Sequence, residues 1–172
     1  MHPAEVDNAL ETMVCLVDTR EQDTPRFRAR LENIGLPIER KALQTGDYGC
    51  KVQLPNDEWM EIPVAIERKM NIDELCMCYT HERSRFTKEF DRAKNAQKRL
   101  YLLVEGATWS SIYSGQYRSH MRSQSLVGSI LTWLARYDCI LLFCPVKCTG
   151  QLIRDVLFYE AREFLLKAGD DN

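Results

Sequence analysis

Two carboxylates and one lysine have side-chain types and spacing that suit metal-assisted hydrolysis of a phosphodiester bond. Asp47 precedes one predicted strand, nineteen residues follow it, and Glu67-x-Lys69 then ends the next strand. Residues two apart on a strand point to the same face, so Glu67 and Lys69 would share one. Carboxylates can hold a Mg²⁺ ion that keeps several waters, and a nearby lysine can stabilise phosphate charge or help to deprotonate the attacking water. The alternative is a surface hairpin whose ends are held by salt bridges.

The strands and helices that must position these side chains follow from the hydrophobic patterning. Val14–Val17 predicts a buried strand, which ends at Asp18-Thr19-Arg20-Glu21. Pro63 interrupts the run 58–66 and predicts a bulge or an edge position there. Further strands are predicted at 37–43, 48–54, 58–66, 100–104 and 140–143, and helices at 27–34, 72–76, 86–93, 125–137 and 149–167, with one short helix inside 108–124. This order predicts an α/β or α+β sandwich around one mixed sheet.

Length and composition bound the class of protein. The 172 residues suit one compact domain, which we expect to span residues 1–172 with its core at about 13–168. No apolar run reaches the roughly 18 to 20 residues of a membrane helix. The first residues show no basic segment followed by an apolar one, so no secretory signal is predicted. The expected location is the cytoplasm, including the nucleoid.

Charge is distributed unevenly along the chain, although the net charge is only −2. Residues 81–99 hold seven Lys or Arg against three acids, and smaller basic clusters lie at 26–30 and 118–122. Such clusters either bind a polyanion or form solvated helix faces, and the second outcome is the more common one.

The cysteine content predicts reduced thiols. Seven cysteines, an odd number in a chain without a secretory signal, argue against a disulfide framework. The spacings at 76–78 and 144–148 differ from those of paired zinc knuckles, and both pairs lie beside apolar residues. We therefore expect the cysteines to pack as small apolar side chains rather than bind zinc.

Four short segments, taken in order, resemble the XPF/Hef/Mus-type nuclease domain, a branch of the restriction-endonuclease-like PD-(D/E)xK superfamily. The hallmark of that family is Gly-Asp-x, a variable gap and then Glu-Arg-Lys-x3-Asp. The matching segments are Val17-Asp18-Thr19-Arg20-Glu21, Gly46-Asp47-Tyr48, Ile66-Glu67-Arg68-Lys69 and Asp73-Glu74-Leu75. The resemblance runs from about residue 14 to residue 143 and implies an α/β, restriction-endonuclease-like α/β/α sandwich with a central mixed β-sheet. Without a helicase motif or a helix-hairpin-helix domain, the chain resembles small stand-alone members from bacteria and phages.

The resemblance also implies a role for each motif residue. Asp47 and Glu67 would bind Mg²⁺, for which Mn²⁺ can substitute, together with the backbone carbonyl of Arg68. Asp18 would lie beside the metal as a further ligand, and Lys69 would be the catalytic lysine.

The remaining expected roles concern phosphate and support. Arg20 would grip the scissile phosphate, and Glu21 would bind a second metal or hold the attacking water. Asp73 would pair with Arg68 to hold the Glu-x-Lys segment, although a purely structural salt bridge is equally expected. Arg85 and Glu89 lie one helical turn apart and match an Arg…Gln/Glu pair of the family. One account is a plain i,i+4 ion pair, and the resemblance instead implies that Arg85 faces the DNA backbone near the metal. The residues expected to contact DNA are Arg20, Arg68, Arg85, Lys88 and Arg92, with Asp73 and Glu89 as structural supports.

The function implied is a metal-dependent DNA endonuclease that acts on flaps, forks or branched DNA in repair or recombination. One alternative is a catalytically silent DNA-binding or scaffold subunit, but silent relatives lose the acidic and lysine residues that this chain keeps. Another is a restriction-type nuclease on the same fold, which ranks lower because the sequence contains no evident base-reading element. The implied partners are DNA, a second copy of the chain and another DNA-processing protein, with no membrane.

The expected dimer surface is the apolar part of the last helix, for which core packing is the alternative. Its residues are Leu152, Ile153, Val156, Leu157, Phe158 and Tyr159.

Overall fold

The computed structural model describes residues 1–170, which form one seven-stranded mixed β-sheet flanked by helices. The strands are β1 Val14–Asp18, β2 Ile38–Lys41, β3 Tyr48–Gln53, β4 Trp59–Glu61, β5 Val64–Lys69, β6 Arg99–Glu105 and β7 Ile140–Cys144. The helices are α1 Pro3–Glu11, α2 Pro25–Ile34, α3 Ile72–Tyr79, α4 Arg83–Asn95, α5 Trp109–Tyr113, α6 Ser123–Tyr137 and α7 Thr149–Asp170, with a 3₁₀ turn at Val146–Cys148. The predicted α/β architecture with a mixed sheet is confirmed.

Two compact units make up the chain. The first comprises residues 1–43, 47–64 and those from 148 onward, and the second comprises residues 44–46 and 65–147. That the chain is a single domain stays a prediction. The buried core extends further toward the N-terminus than residue 13, because Val6, Ala9 and Leu10 of α1 are buried. Helix α1 itself is absent from the sequence-based prediction.

In the first unit, β1 lies between β2 and β3. It pairs with β2 in parallel, with Cys15 opposite Ile38, and with β3 in antiparallel, with Cys15 opposite Cys50. Helix α2 begins where the Thr24 hydroxyl accepts a hydrogen bond from the Phe27 amide, so its first turn is capped. In this register, Asp18 at the end of β1 lies next to the start of β3.

The crossing of α2 and α7 is very close. A Cβ atom at Gly150 would lie 2.5 Å from the carbonyl oxygen of Arg30 and 2.6 Å from the Cβ of Asn33. Only glycine permits this approach of two helix backbones. The position of Arg30 on α2 therefore depends on Gly150.

The strand predicted at 58–66 is divided in two by Pro63. Strand β4 pairs with β3 in antiparallel and ends at Glu61, and β5 begins at Val64. Proline has no amide hydrogen for a ladder and disfavours a continuous central strand, which explains the break. The turn at 55–57 thus joins β3 and β4 in a hairpin, with Val52 opposite Met60.

In the second unit, β6 lies between β5 and β7 and pairs with β7 in parallel, with Leu103 opposite Leu142. Its core is an aromatic cluster in which the rings of Phe86 and Trp133 stack at 6.0 Å between centroids. Because Phe86 belongs to α4, this cluster fixes that helix in the unit. Among residues 1–170, no helix has both the length and the apolar character that crossing a bilayer requires.

Helix α7 buries much of the surface that was expected to bind a partner. Ile153 and Leu157 are fully buried, whereas Phe158 and Tyr159 are exposed. The prediction of a partner surface is therefore wrong for Ile153 and Leu157, which belong to the core of the first unit. Only the exposed side of α7 stays available, and a homodimer stays a prediction.

Candidate active site

Glu67 and Lys69 meet at the end of β5. Both are buried, with 4% and 8% of their surface exposed, and Lys69 Nζ lies 2.5 Å from Glu67 Oε1. The ammonium also lies over the ring of Phe86, 5.4 Å from its centroid. A buried ammonium is stabilised by a carboxylate at hydrogen-bonding distance and by the negative face of an aromatic ring. The side chains are on one face of the strand, as their spacing predicts.

Gly46 adopts a left-handed conformation directly before Asp47. Its φ is +70°, and a Cβ atom there would lie 3.0 Å from the carbonyl oxygen of Ile66 and 3.2 Å from the Cβ of Ala65. Both the conformation and the close approach to β5 favour glycine. This explains in physical terms why glycine precedes the acidic residue.

Helix α4 holds the segment that leads into Asp47. The Gly46 amide donates a hydrogen bond to Glu89 Oε1 at 3.3 Å, and Arg92 Nε donates to the carbonyl oxygen of Gln44 at 2.9 Å. Glu89 is 7% exposed, so its carboxylate is directed inward rather than toward solvent. The plain account, an ion pair of Arg85 with Glu89, is wrong, because Arg85 contacts Glu82 at 3.8 Å instead. That Arg85 faces the DNA backbone stays a prediction.

The carboxylate of Asp18 is fully engaged. Its Oδ1 accepts hydrogen bonds from the backbone and Nε of Arg20, at 2.7 and 2.8 Å, and its Oδ2 accepts from Arg20 Nη2 and the Leu43 amide, both at 2.9 Å. Burial alone would raise the pKa of Asp18, but these hydrogen bonds outweigh it, and the pKa lies below its ordinary value. A carboxylate offers about four lone-pair positions. A metal ion would therefore have to displace one of these donors from Asp18.

The backbone of Asp47 is also hydrogen-bonded to Asp18. The Asp18 amide donates to the Asp47 carbonyl oxygen at 2.9 Å. Asp18 thus contacts Arg20 through its side chain and Asp47 through its backbone, and the Arg20 side chain is 56% exposed.

A buried network that the sequence did not predict holds Glu21. Arg30 Nε donates to the Tyr48 hydroxyl at 2.7 Å, and this hydroxyl donates to Glu21 Oε2 at 3.0 Å. Arg30 Nη2 reaches the same carboxylate oxygen at 3.0 Å. Because Arg30 and Tyr48 are 6% and 0% exposed, the network is sheltered from solvent. The signal in the sequence was a lone arginine on the apolar face of α2.

The pairing expected between Arg68 and Asp73 is wrong. Arg68 Nη1 instead lies 3.4 Å from Oε2 of Glu105, which is 1% exposed at the end of β6. Asp73 Oδ1 accepts hydrogen bonds from the backbone amides of Arg118 and Ser119, at 2.8 and 2.7 Å. A strand and the helix after it diverge, so neighbours in sequence find partners elsewhere in the second unit. Asp73 anchors a loop rather than the Glu-x-Lys segment.

The cysteines are free thiols, as expected. Six of the seven are buried, and Cys148 is partly exposed. Burial raises the pKa of Cys15 and Cys78 to about 12. Thiols with a pKa in this range are neutral near pH 7.

The donor chemistry of the site suits a hard divalent cation. Within residues 1–170, no three His, Cys, Asp or Glu side chains gather into a group that could hold a metal alone. Mg²⁺ needs no such cage, because it binds through one or two carboxylates and keeps waters or substrate phosphates as its other ligands. Glu67, a buried carboxylate held beside an ammonium, is a donor of this type.

A family comparison gives the same assignment as the motifs. The model of the ERCC4 domain matches residues 17–155, well over half of the chain. The chain belongs to the ERCC4 domain family. The segments that resemble the XPF-type nuclease motifs, at Asp47, Glu67 and Lys69, all lie in the matched part.

Two solved structures have a fold similar to that of this ERCC4 domain. XPF from Aeropyrum pernix matches with a TM-score of 0.62 and 23% identity, covering 87% of this chain and 65% of that one. XPF from Aeropyrum pernix in complex with DNA matches with a TM-score of 0.60 and 21% identity, covering 87% and 66%. This chain thus spans about two thirds of the length of those chains, and the likeness establishes the fold. No curated protein sequence matches the chain.

Proposed function

We propose that this chain is a divalent-metal-dependent DNA endonuclease whose catalytic centre consists of Asp47, Glu67 and Lys69. Membership of the ERCC4 domain family and the complete order of its motifs support the proposal. The observation that carries it is the buried contact of Lys69 with Glu67 at 2.5 Å. A salt bridge on a surface hairpin would be exposed to solvent, whereas this pair is buried and needs a reason to be charged.

In this proposal Asp47 and Glu67 bind Mg²⁺ or Mn²⁺, with the backbone carbonyl of Arg68 as a further ligand. When bound, the metal would act as a Lewis acid and lower the pKa of a coordinated water. Lys69 is held as an ammonium by Glu67 and by the ring of Phe86. An ammonium carries three donors, so Lys69 can stabilise charge that develops on the scissile phosphate.

The arginines of the site would hold the DNA backbone. The exposed guanidinium of Arg20 is oriented by Asp18, which makes it a preorganised phosphate ligand. We therefore assign Asp18 the role of positioning Arg20 rather than that of metal ligand. Arg85 and Lys88 are exposed on α4 and would contact phosphates further along. Glu21 as ligand of a second metal or holder of the water stays a prediction.

The proposal is tested by a cleavage panel of linear, flapped, forked and four-way DNA with Mg²⁺, with Mn²⁺ and with EDTA. We expect metal-dependent nicking, preferably of the branched substrates, as in repair or recombination. Asp47→Ala and Lys69→Ala should abolish nicking, because a metal ligand and the charge on Lys69 are lost. Absence of cleavage with either metal would refute the activity, and a fully active Asp47→Ala variant would refute the site. Lys147→Ala, an exposed lysine outside the motifs, is the matched control for Lys69→Ala.

A further inference from the structure

A cavity of about 580 Å³ opens in the second unit between α3 and the loop at residues 117–121. Its walls combine the thioethers of Met77 and Met121, the imidazoles of His81 and His120, and the guanidinium of Arg118. None of these side chains belongs to the proposed catalytic centre.

The loop that forms one wall is fixed by hydrogen bonds. Asp73 accepts from the backbone amides of Arg118 and Ser119, and the Tyr117 hydroxyl donates to the Met121 carbonyl oxygen at 2.8 Å. Because these hydrogen bonds already fix the loop, a ligand that enters the cavity does not have to order it. Preorganisation of this kind lowers the entropic cost of binding.

The side chains of the cavity match a planar heteroaromatic group that carries a phosphate. Met77 is 47% exposed, so an apolar surface lies open where a ring can pack. Imidazole rings stack on nucleobases, and a guanidinium binds phosphate oxygens. The side chain of Arg118 is 90% exposed; its Nε lies 3.5 Å from Oδ2 of Asp73, which also lines the cavity, and the rest of the guanidinium is accessible to such a phosphate. The volume falls in the range of roughly 300–1,000 Å³ that small-molecule sites occupy.

A basic groove on the same unit shares one lining residue with the cavity. His81 also lines a second cavity of about 470 Å³, which lies along the first part of α4. Three cationic side chains, Arg85, Lys88 and Arg92, line that groove against the single acid Glu82. A polyanionic backbone would be attracted along the groove, with its end at the cavity beside α3.

We propose that the cavity beside α3 binds the base of an unpaired nucleotide whose neighbouring phosphates follow the basic groove of α4. The inference rests on the proposed function as a DNA nuclease and adds a means of choosing substrates. A base within a duplex would have to leave its stack to enter the cavity, whereas a base in a single strand would not. The cavity thus favours DNA with an unpaired segment.

The test compares a blunt duplex with the same duplex bearing a single-stranded flap that contains 2-aminopurine. Binding is measured by fluorescence anisotropy in EDTA, which separates it from cleavage. In the double variant His81→Ala/His120→Ala, affinity for the flap should fall at least fivefold, the lower end of the effect of removing a stacking side chain, roughly 5- to 150-fold. Affinity for the blunt duplex should stay unchanged, and the change in 2-aminopurine fluorescence on binding should disappear. The third histidine, His2, gives the matched control His2→Ala.

Arg118→Ala provides a second variant. It removes the 3.5 Å contact of the side chain with Asp73, but the loop stays anchored because the backbone amides of residues 118 and 119 still donate to Asp73. It should weaken flap binding and lower its salt dependence, since one phosphate contact is lost. Flap affinity equal to that of the parent protein in both variants, or an equal loss for the blunt duplex, overturns the inference. If the parent protein cuts DNA but the substitutions leave flap binding unchanged, only the base-binding cavity is refuted. A parent that neither binds nor cuts any DNA refutes the proposed function as well.

Discussion

Replacing Gly46 by alanine tests how closely the segment before Asp47 approaches β5. Two costs add in this variant. An L-residue in the left-handed region costs about 1–2 kcal/mol. The new Cβ would also lie 3.0 Å from the Ile66 carbonyl oxygen and 3.2 Å from the Ala65 Cβ, and overpacking of this kind costs about 1–3 kcal/mol. The free energy of unfolding should therefore fall by about 2–5 kcal/mol.

Gly115→Ala is the matched control for this experiment. Gly115 has nearly the same conformation, with φ at +67°, but a Cβ atom there meets nothing within 4 Å. The effect of alanine on the entropy of the unfolded chain is the same in both variants, so it cancels in the comparison. Gly115→Ala should lose only about 1–2 kcal/mol.

The assay is urea-induced unfolding of both variants, followed by DNA cleavage under conditions where each is folded. We expect Gly46→Ala to be the less stable variant and to lose cleavage, because the steric conflict displaces the chain next to Asp47. Gly115→Ala should cut as the parent does. Equal stability losses in the two variants would refute the close approach to β5. Full cleavage by a folded Gly46→Ala variant would refute the link between this turn and catalysis.

Three further changes test single contacts of the site. Asp18→Asn should lower the free energy of unfolding at pH 7 by about 1.5–3 kcal/mol. Because the folded pKa of Asp18 is lowered, its stabilisation is present above the unfolded pKa of about 3.9 and is lost as the pH falls through the folded pKa. In urea titrations, the difference in stability between the variant and the parent should therefore vanish at low pH. Tyr48→Phe should cost about 1–3 kcal/mol by calorimetry, because Arg30 loses its acceptor in a buried network, and an unchanged stability would contradict that network. Glu89→Leu should lower kcat for DNA cleavage and Glu89→Gln should restore it, since an amide oxygen can still accept from the Gly46 amide; equal kcat values for the two variants would show that this hydrogen bond is irrelevant.

Much of the fold could be predicted from the sequence because its patterns are local. Strand β1 follows from its run of apolar residues, and the end of helix α2 follows from Gly35, a helix stop signal. The break at Pro63 was predicted as a bulge or an edge, since the missing amide is visible in the sequence but its consequence depends on the neighbouring strands. Helix α1 escaped prediction because only a narrow apolar stripe, with Val6 and Leu10, is buried.

The site shows the same division between local and distant information. The contact of Glu67 with Lys69 follows from a spacing of two on one strand. The partner of Arg68 could not be predicted, because Glu105 is distant in sequence and arrives through the pairing order of the sheet. The contact of Arg30 with Tyr48 likewise depends on how α2 packs on its unit, which no spacing encodes.

The crossing at Gly150 gives the protein a vulnerable position without any chemical group. Arg30, whose carbonyl oxygen would lie 2.5 Å from an added Cβ, also holds Tyr48 and Glu21 through its side chain. In a random-mutagenesis screen for loss of activity, position 150 should therefore yield inactive alleles as readily as the acidic motif residues do. Smaller side chains at Asn33 should not act as suppressors, because the added Cβ would still meet the carbonyl oxygen of Arg30 and the carbonyl carbon of Asn33, which are backbone atoms. A genetic map of this gene would thus mark a helix crossing as an essential site.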